Sequence, residues 1–208
     1  MRSFVCAAVM LAAAAWPAFA QTVPSPAVLK DLAPTGKLRA AINFGNPVLA
    51  QKGPNGEPCS VSAELAAALA KRLGVPLDYV PFAAAGKVFE ALAAGSVDVG
   101  FIAVEPVRAA QVDFSPPYVI IEGTYLVRKE SALKDVADVD QPGIKIAVGL
   151  ASVYALYLTR TLKHAALVRA KVGGAAAGIP VFLEQKLDAA ADVREPLDDY
   201  AMDHPTCG

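Results

Sequence analysis

Arg108 is the side chain in this sequence best suited to holding an anion. Its planar guanidinium offers a fork of N–H donors that meets a carboxylate with two parallel hydrogen bonds, which a lysine does not. An arginine is also commonly a solvated surface residue. Three positions earlier, Glu105 would either repel an anion near Arg108 or pair with the arginine itself. Ser152 opens a helical run, where its hydroxyl and the nearby backbone N–H groups favour an anion. The same residue at the same place also serves as an ordinary helix cap. Phe44 ends an apolar run and could stack on a ligand or fill the core. Backbone groups around Ala103, at the end of another such run, would supply further hydrogen bonds. For acid–base work only Glu105 and Asp192 are plausible, and such work needs a positioned proton donor or acceptor. His164 and His204 stand alone and no Cys/His cluster has metal-ligand spacing, so no metal and no cofactor is expected.

The elements that would position these residues alternate. Pro26 to Leu32 reads as a short helix capped by Ser25 and ended by Pro34. Leu38 to Phe44 reads as a strand, and turn chemistry follows at Gly53-Pro54-Asn55-Gly56. Ala63 to Leu73 is a helix closed by Gly74, Leu77 to Phe82 a strand, Lys87 to Ala94 a helix closed by Gly95, and Val97 to Ala103 a buried strand. Val119 to Val127 is apolar and β-branched enough for a long strand. Ile144 to Val148 is another, followed by a helix over Val153 to Leu162, a helix over Val181 to Lys186 and a strand over Leu187 to Val193. Strands separated by helices imply parallel βαβ units and an α/β fold. The unit ending Gly95…Val97-Asp98-Val99 has an echo in Lys186-Leu187-Asp188-Ala189. Between the halves, Tyr118 to Lys129 is extended enough to cross from one lobe to another. Two lobes then present strand ends to a shared crevice, where α/β sheets hold ligands.

The amino terminus adds a destination. Arg2 is followed by an apolar run from Phe4 to Trp16 and by Ala18-Phe19-Ala20, the pattern of a cleavable secretory signal, with cleavage expected before Gln21. The run is short of the roughly 20 residues a membrane span needs. Loss of Arg2 leaves 18 basic against 20 acidic residues, a balance that argues against nucleic-acid binding. Cys59 and Cys207 would enter an oxidising compartment, where they could pair or stay free.

Gly36-Lys37-Leu38-Arg39-Ala40-Ala41, Gly56, Glu64-Leu65-Ala66 and Leu73-Gly74-Val75 come in a telling order. After them stand Ala91 to Val99, Arg108, Val112-Asp113-Phe114-Ser115, Pro117-Tyr118 and Arg128-Lys129. Together they resemble the bacterial extracellular solute-binding proteins, family 3, which serve ABC importers of amino acids. The resemblance implies a two-lobed periplasmic-binding-protein fold of type II that closes over its ligand. It implies a carboxylate contact for Arg108, which stands six residues before Phe114. It also implies a periplasmic, monomeric receptor without enzymatic activity, whose partners are a small carboxylate-bearing solute and an inner-membrane ABC permease.

On this reading residues 1–20 are the signal, 21–122 lobe one, 123–129 the crossover, 130–195 lobe two and 196–208 a return segment cut short, leaving lobe one incomplete. Glu105-Pro106-Val107 stands where the family carries a threonine hydroxyl, and Ser60 replaces a frequent glycine. Val193 occupies the place of the acidic residue that clamps an ammonium group, with Asp192 one position earlier and expected on the other strand face. Two other uses of the scaffold remain open: a periplasmic dehydratase of prephenate-like acids, and an extracellular sensor module.

Overall fold

The computed structural model describes residues 24–204 and Thr206; the expected export signal with its Ala18-Phe19-Ala20 site, and Cys207, lie outside the described residues. The chain opens with α1 (Pro26–Leu32), where the Ser25 hydroxyl accepts from Val28 N at 3.3 Å. Strand β1 (Leu38–Asn43) follows, then a small hairpin of β2 (Gln51–Lys52) and β3 (Pro58–Cys59). Next come α2 (Val61–Leu73), β4 (Leu77–Phe82), α3 (Ala85–Ala93), β5 (Val99–Gly100) and α4 (Pro106–Ala109). Strands β4, β1 and β5 form a parallel sheet in that order. Its central strand is covered on both faces, as parallel strands usually are: Ala41 packs with Val88, Ala91 and Val97, and Leu38 packs with Ala70 and Leu73.

The second sheet runs β6 (Gly123–Val127), β9 (Ala189–Val193), β7 (Lys145–Val148), β8 (Ala166–Arg169), with β6 antiparallel to its neighbour and the rest parallel. Helix α5 (Val153–Thr161) covers one face and α6 (Gly178–Glu184) the other. Phe182 is wholly buried there, with the Arg128 guanidinium 4.6 Å above its ring.

The echo between Asp98 and Asp188 is a shared construction. Asp98 N donates to Arg39 O at 2.9 Å while its carboxylate accepts from Arg39 N at 2.8 Å, stitching β5 to β1. Asp188 N donates to Lys145 O at 3.0 Å and its carboxylate accepts from Lys145 N at 2.8 Å, stitching β9 to β7. Each lobe uses the aspartate to satisfy backbone groups at the start of its central strands.

Three expectations need correction. Only Gly123–Val127 of the expected Val119–Val127 strand is a strand, because residues 119–122 find no ladder partner among the described residues. The expected strand from Val97 to Ala103 contracts to Val99–Gly100 for the same reason. The segment read as a polar tail is a helix, α7 (Arg194–Asp203), whose Leu197, Tyr200 and Ala201 pack onto lobe two at helical spacing. The β5 edge of the three-stranded sheet is unpaired among the described residues, in keeping with an incomplete lobe one.

Ser60, at the entry to α2, sits at φ 80° and ψ −173°, a region suited to glycine. Its hydroxyl donates to Leu49 O at 2.9 Å, which offsets part of the strain. Ser60→Gly is therefore expected to raise stability by about 1 kcal/mol. Equal or lower denaturant midpoints for the variant would contradict a strained backbone here.

Candidate functional site

Both sheets turn the carboxyl ends of their parallel strands toward each other, and the connecting loops meet. Ala175 N donates to Gly45 O at 2.6 Å. A Cβ on Gly86 would lie 2.6 Å from the Ala151 Cβ, so at this point the lobes approach as closely as glycine allows. Gly174, at φ 115°, passes under the Ala83 carbonyl, where a Cβ would lie 3.1 Å away.

Arg108 stands in this crevice and is 1 % exposed. It is carried by α4, a single turn with Pro106 at its start and Glu105 as its cap. Its Nη1 donates to Ala103 O at 3.1 Å within lobe one, and its Nη2 donates to Ala151 O at 3.1 Å in lobe two. Burial lowers the guanidinium pKa from its usual range and the neighbouring Glu105 charge partly offsets this. The Ala103 carbonyl, expected to offer a hydrogen bond to a ligand, here accepts from the arginine.

Glu105 is buried too. Its Oε2 accepts from Val107 N at 2.8 Å, and its Oε1 is paired with Arg160 Nη1 from α5. Its ion pair is thus made across the crevice with Arg160, and Arg108 feels its charge without a direct bond to it. Ser152 caps α5, its hydroxyl accepting from Ala155 N at 3.0 Å, close to Gly149 at the end of β7. Phe44 lies half-buried just past β1, with Lys52 Nζ 5.3 Å from its ring centroid. Of the five residues singled out in the sequence, Arg108, Ala103 and Glu105 meet lobe two directly or through one another, while Ser152 follows Ala151 in the chain and Phe44 precedes Gly45, both of which touch the other lobe.

Asp192 stands, as strand alternation predicts, on the face opposite Val193. It lies at the carboxyl end of β9, on the same face as Ala190, and is 4 % exposed. Its Oδ1 accepts from Val193 N at 2.8 Å, and the backbone N–H of Ala176, in the loop that faces lobe one, lies near enough to favour the charged form. Among the described residues its Oδ2 is buried without a partner. Burial raises the carboxyl pKa to about 6, against the pull of those two backbone donors. The hydroxyl of Tyr154 is raised to about 12 by its own burial and then by the charges of Asp192 and Glu195. A buried carboxylate oxygen without a partner is costly, and the cation or proton that would satisfy it defines chemistry at this spot. Among the described residues no three His, Cys, Asp or Glu side chains are grouped to hold a metal.

Residues 38–198 match the family described as bacterial extracellular solute-binding proteins, family 3. The chain belongs to this family. Among solved structures, this solute-binding protein is similar to an ancestral amino acid-binding protein described as a precursor of cyclohexadienyl dehydratase. The two share 28 % identity with a TM-score of 0.66, over 83 % of this chain and 77 % of the other. An arginine-bound variant of ArgBP from T. maritima aligns at 20 % identity and a TM-score of 0.67, over 86 % and 84 %. AbpA from Streptococcus pneumoniae, bound to L-arginine, aligns at 22 % and 0.65, over 85 % and 76 %. The last two likenesses concern the fold alone. No curated protein matches the sequence. No described helix of the solute-binding protein is long and apolar enough to cross a membrane.

Proposed function

We propose that this chain is the periplasmic receptor of an ABC importer and holds a small carboxylate-bearing solute, an amino acid or a related organic acid, between its lobes. The observation that carries the proposal is Arg108, a guanidinium 1 % exposed at the junction of the two lobes. Its Nη2 bond to Ala151 O exists only while the lobes are together. A ligand carboxylate entering between the lobes would take the place of that carbonyl and meet the guanidinium in fork geometry as the lobes close over it. Asp192, at the end of β9 in lobe two, carries a buried oxygen that is unpartnered among the described residues and suited to a ligand ammonium group. Ser152 and Phe44 line the rim, and Glu105 supports Arg108 instead of touching the ligand. The partner is an inner-membrane permease that receives the solute, and the receptor acts as a monomer.

A thermal-shift screen of amino acids and organic acids tests this reading, because a ligand bound only by the folded state raises the melting temperature. At a hundred times its dissociation constant the ligand adds about 2.7 kcal/mol to stability. A panel that leaves the melting temperature unmoved throughout would overturn the proposal.

A second use of the same crevice is favoured by one observation. A carboxyl group held at about 6 is poised to exchange protons near neutral pH. With a dehydratase precursor among the similar structures, turnover of a prephenate-like acid is the assay that separates catalysis from binding. Product formation abolished by Asp192→Asn would establish it.

A further inference from the structure

We infer that Arg160 is a positioning residue of this site, acting from lobe two on Glu105 of lobe one, and that the pair draws the lobes together over Arg108. The inference rests on the receptor reading for its biological meaning.

The Glu105 side chain is 1 % exposed. A carboxylate so buried needs a counter-charge and further hydrogen bonds. It has both: one oxygen caps α4 through Val107 N, and the other is paired with Arg160. The Arg160 side chain is 38 % exposed, reaches from the last turn of α5, and is tied to its own helix through Leu156 O at 3.3 Å. Glu105 and Arg160 are 55 residues apart and belong to different lobes, so the pair forms on closure and breaks on opening.

Two consequences follow for the solute site. The helix α4 that Glu105 caps also carries Arg108, so fixing the glutamate fixes the direction of the guanidinium fork. In open lobes Glu105 is the nearest anion to Arg108 and competes with a ligand carboxylate for its charge. On closure Arg160 neutralises Glu105, and the charge of Arg108 is left for the ligand. Closing the lobes and accepting a carboxylate thereby favour each other.

Small-angle scattering of the purified protein without added ligand tests this, comparing wild type with Arg160→Gln, Arg160→Lys, Glu105→Gln and the Glu105→Gln/Arg160→Gln double variant. Arg160→Gln is expected to lower the ratio of closed to open molecules by about tenfold or more, seen as a larger radius of gyration. Arg160→Lys keeps the charge and restores most of the compaction, and the double variant is no more open than the less compact of the two single variants. Affinity for an L-arginine probe should fall in Arg160→Gln in step with the closed fraction, while the circular dichroism spectrum stays that of wild type. An unchanged radius of gyration in Arg160→Gln, or no recovery with lysine, would overturn the inference. Should Glu105→Gln fail to fold, the Arg160 variants decide alone, since that side chain is partly exposed. Failure of the whole amino-acid panel to bind would remove the receptor reading, and the scattering comparison would still judge the pair.

Discussion

Replacing Arg108 with alanine is expected to weaken binding of a carboxylate probe such as L-arginine by about a hundredfold or more. Each hydrogen bond to a charged group contributes about 1.5–3 kcal/mol, and the fork supplies two. Arg108→Lys keeps the charge without the planar fork and is expected to recover only part of the loss. A purely structural arginine predicts something else. Removing it would strand the Ala103 and Ala151 carbonyls and lower stability, yet leave the affinity of the folded fraction intact. Titration calorimetry beside denaturant melts distinguishes the two. Affinity within about twofold for all three proteins would take Arg108 out of the site.

Asp192→Asn should move stability and binding in opposite directions. The folded carboxyl titrates at about 6, above the roughly 3.9 of an unfolded aspartate. A folded pKa that is raised makes the fold most stable where the group is protonated in both states, below about pH 4. Stability is then lost as pH rises from about 4 to about 6, by up to about 3 kcal/mol for two pH units. Asparagine removes the buried charge, so the variant should melt higher than wild type at pH 7.5 and show no such gain at pH 4. At the same time an ammonium-bearing ligand loses its counter-charge, and its affinity should fall by about tenfold to a hundredfold. Binding in the wild type should strengthen as pH rises through 6. Melting curves that differ equally at both pH values would refute the assigned titration, and unchanged affinity would separate Asp192 from the ligand.

Much of the scaffold was legible because local chemistry and tertiary placement agree. Ser25 and Ser152 cap helices, Gly74 closes one at φ 70°, and the aspartates at 98 and 188 mark matching joints. Composition misled where a partner was required. Residues 119–122 are β-branched enough for a strand, but a strand also needs a neighbour to bond with. Helix α7 hid behind Pro196 and its acidic residues. The signal that could have found it is the spacing of Leu197, Tyr200 and Ala201, with proline tolerated in a first turn. Of the site, Arg108 was readable from residue type and order. Arg160 was not, because a basic residue late in an exposed helix reads as solvated until another lobe supplies Glu105. The face of Asp192 followed from strand alternation, but its burial did not, because alternation gives no account of the loop carrying Ala176 near the strand end.

Across the described residues the chain passes from the first sheet to the second once, between Gly100 and Gly123. A single tether limits how far two bodies can separate but leaves twisting and sideways sliding nearly unrestrained. A hinge of that kind has several degrees of freedom where a two-stranded one has close to a single axis. The register in which the lobes meet is then set by the facing surfaces: the Ala175 and Gly45 backbones, the glycine seat at Gly86, and the charges at Glu105 and Arg160. Over the described residues, the orientation of the two sheets rests on these contacts as well as on the covalent connection.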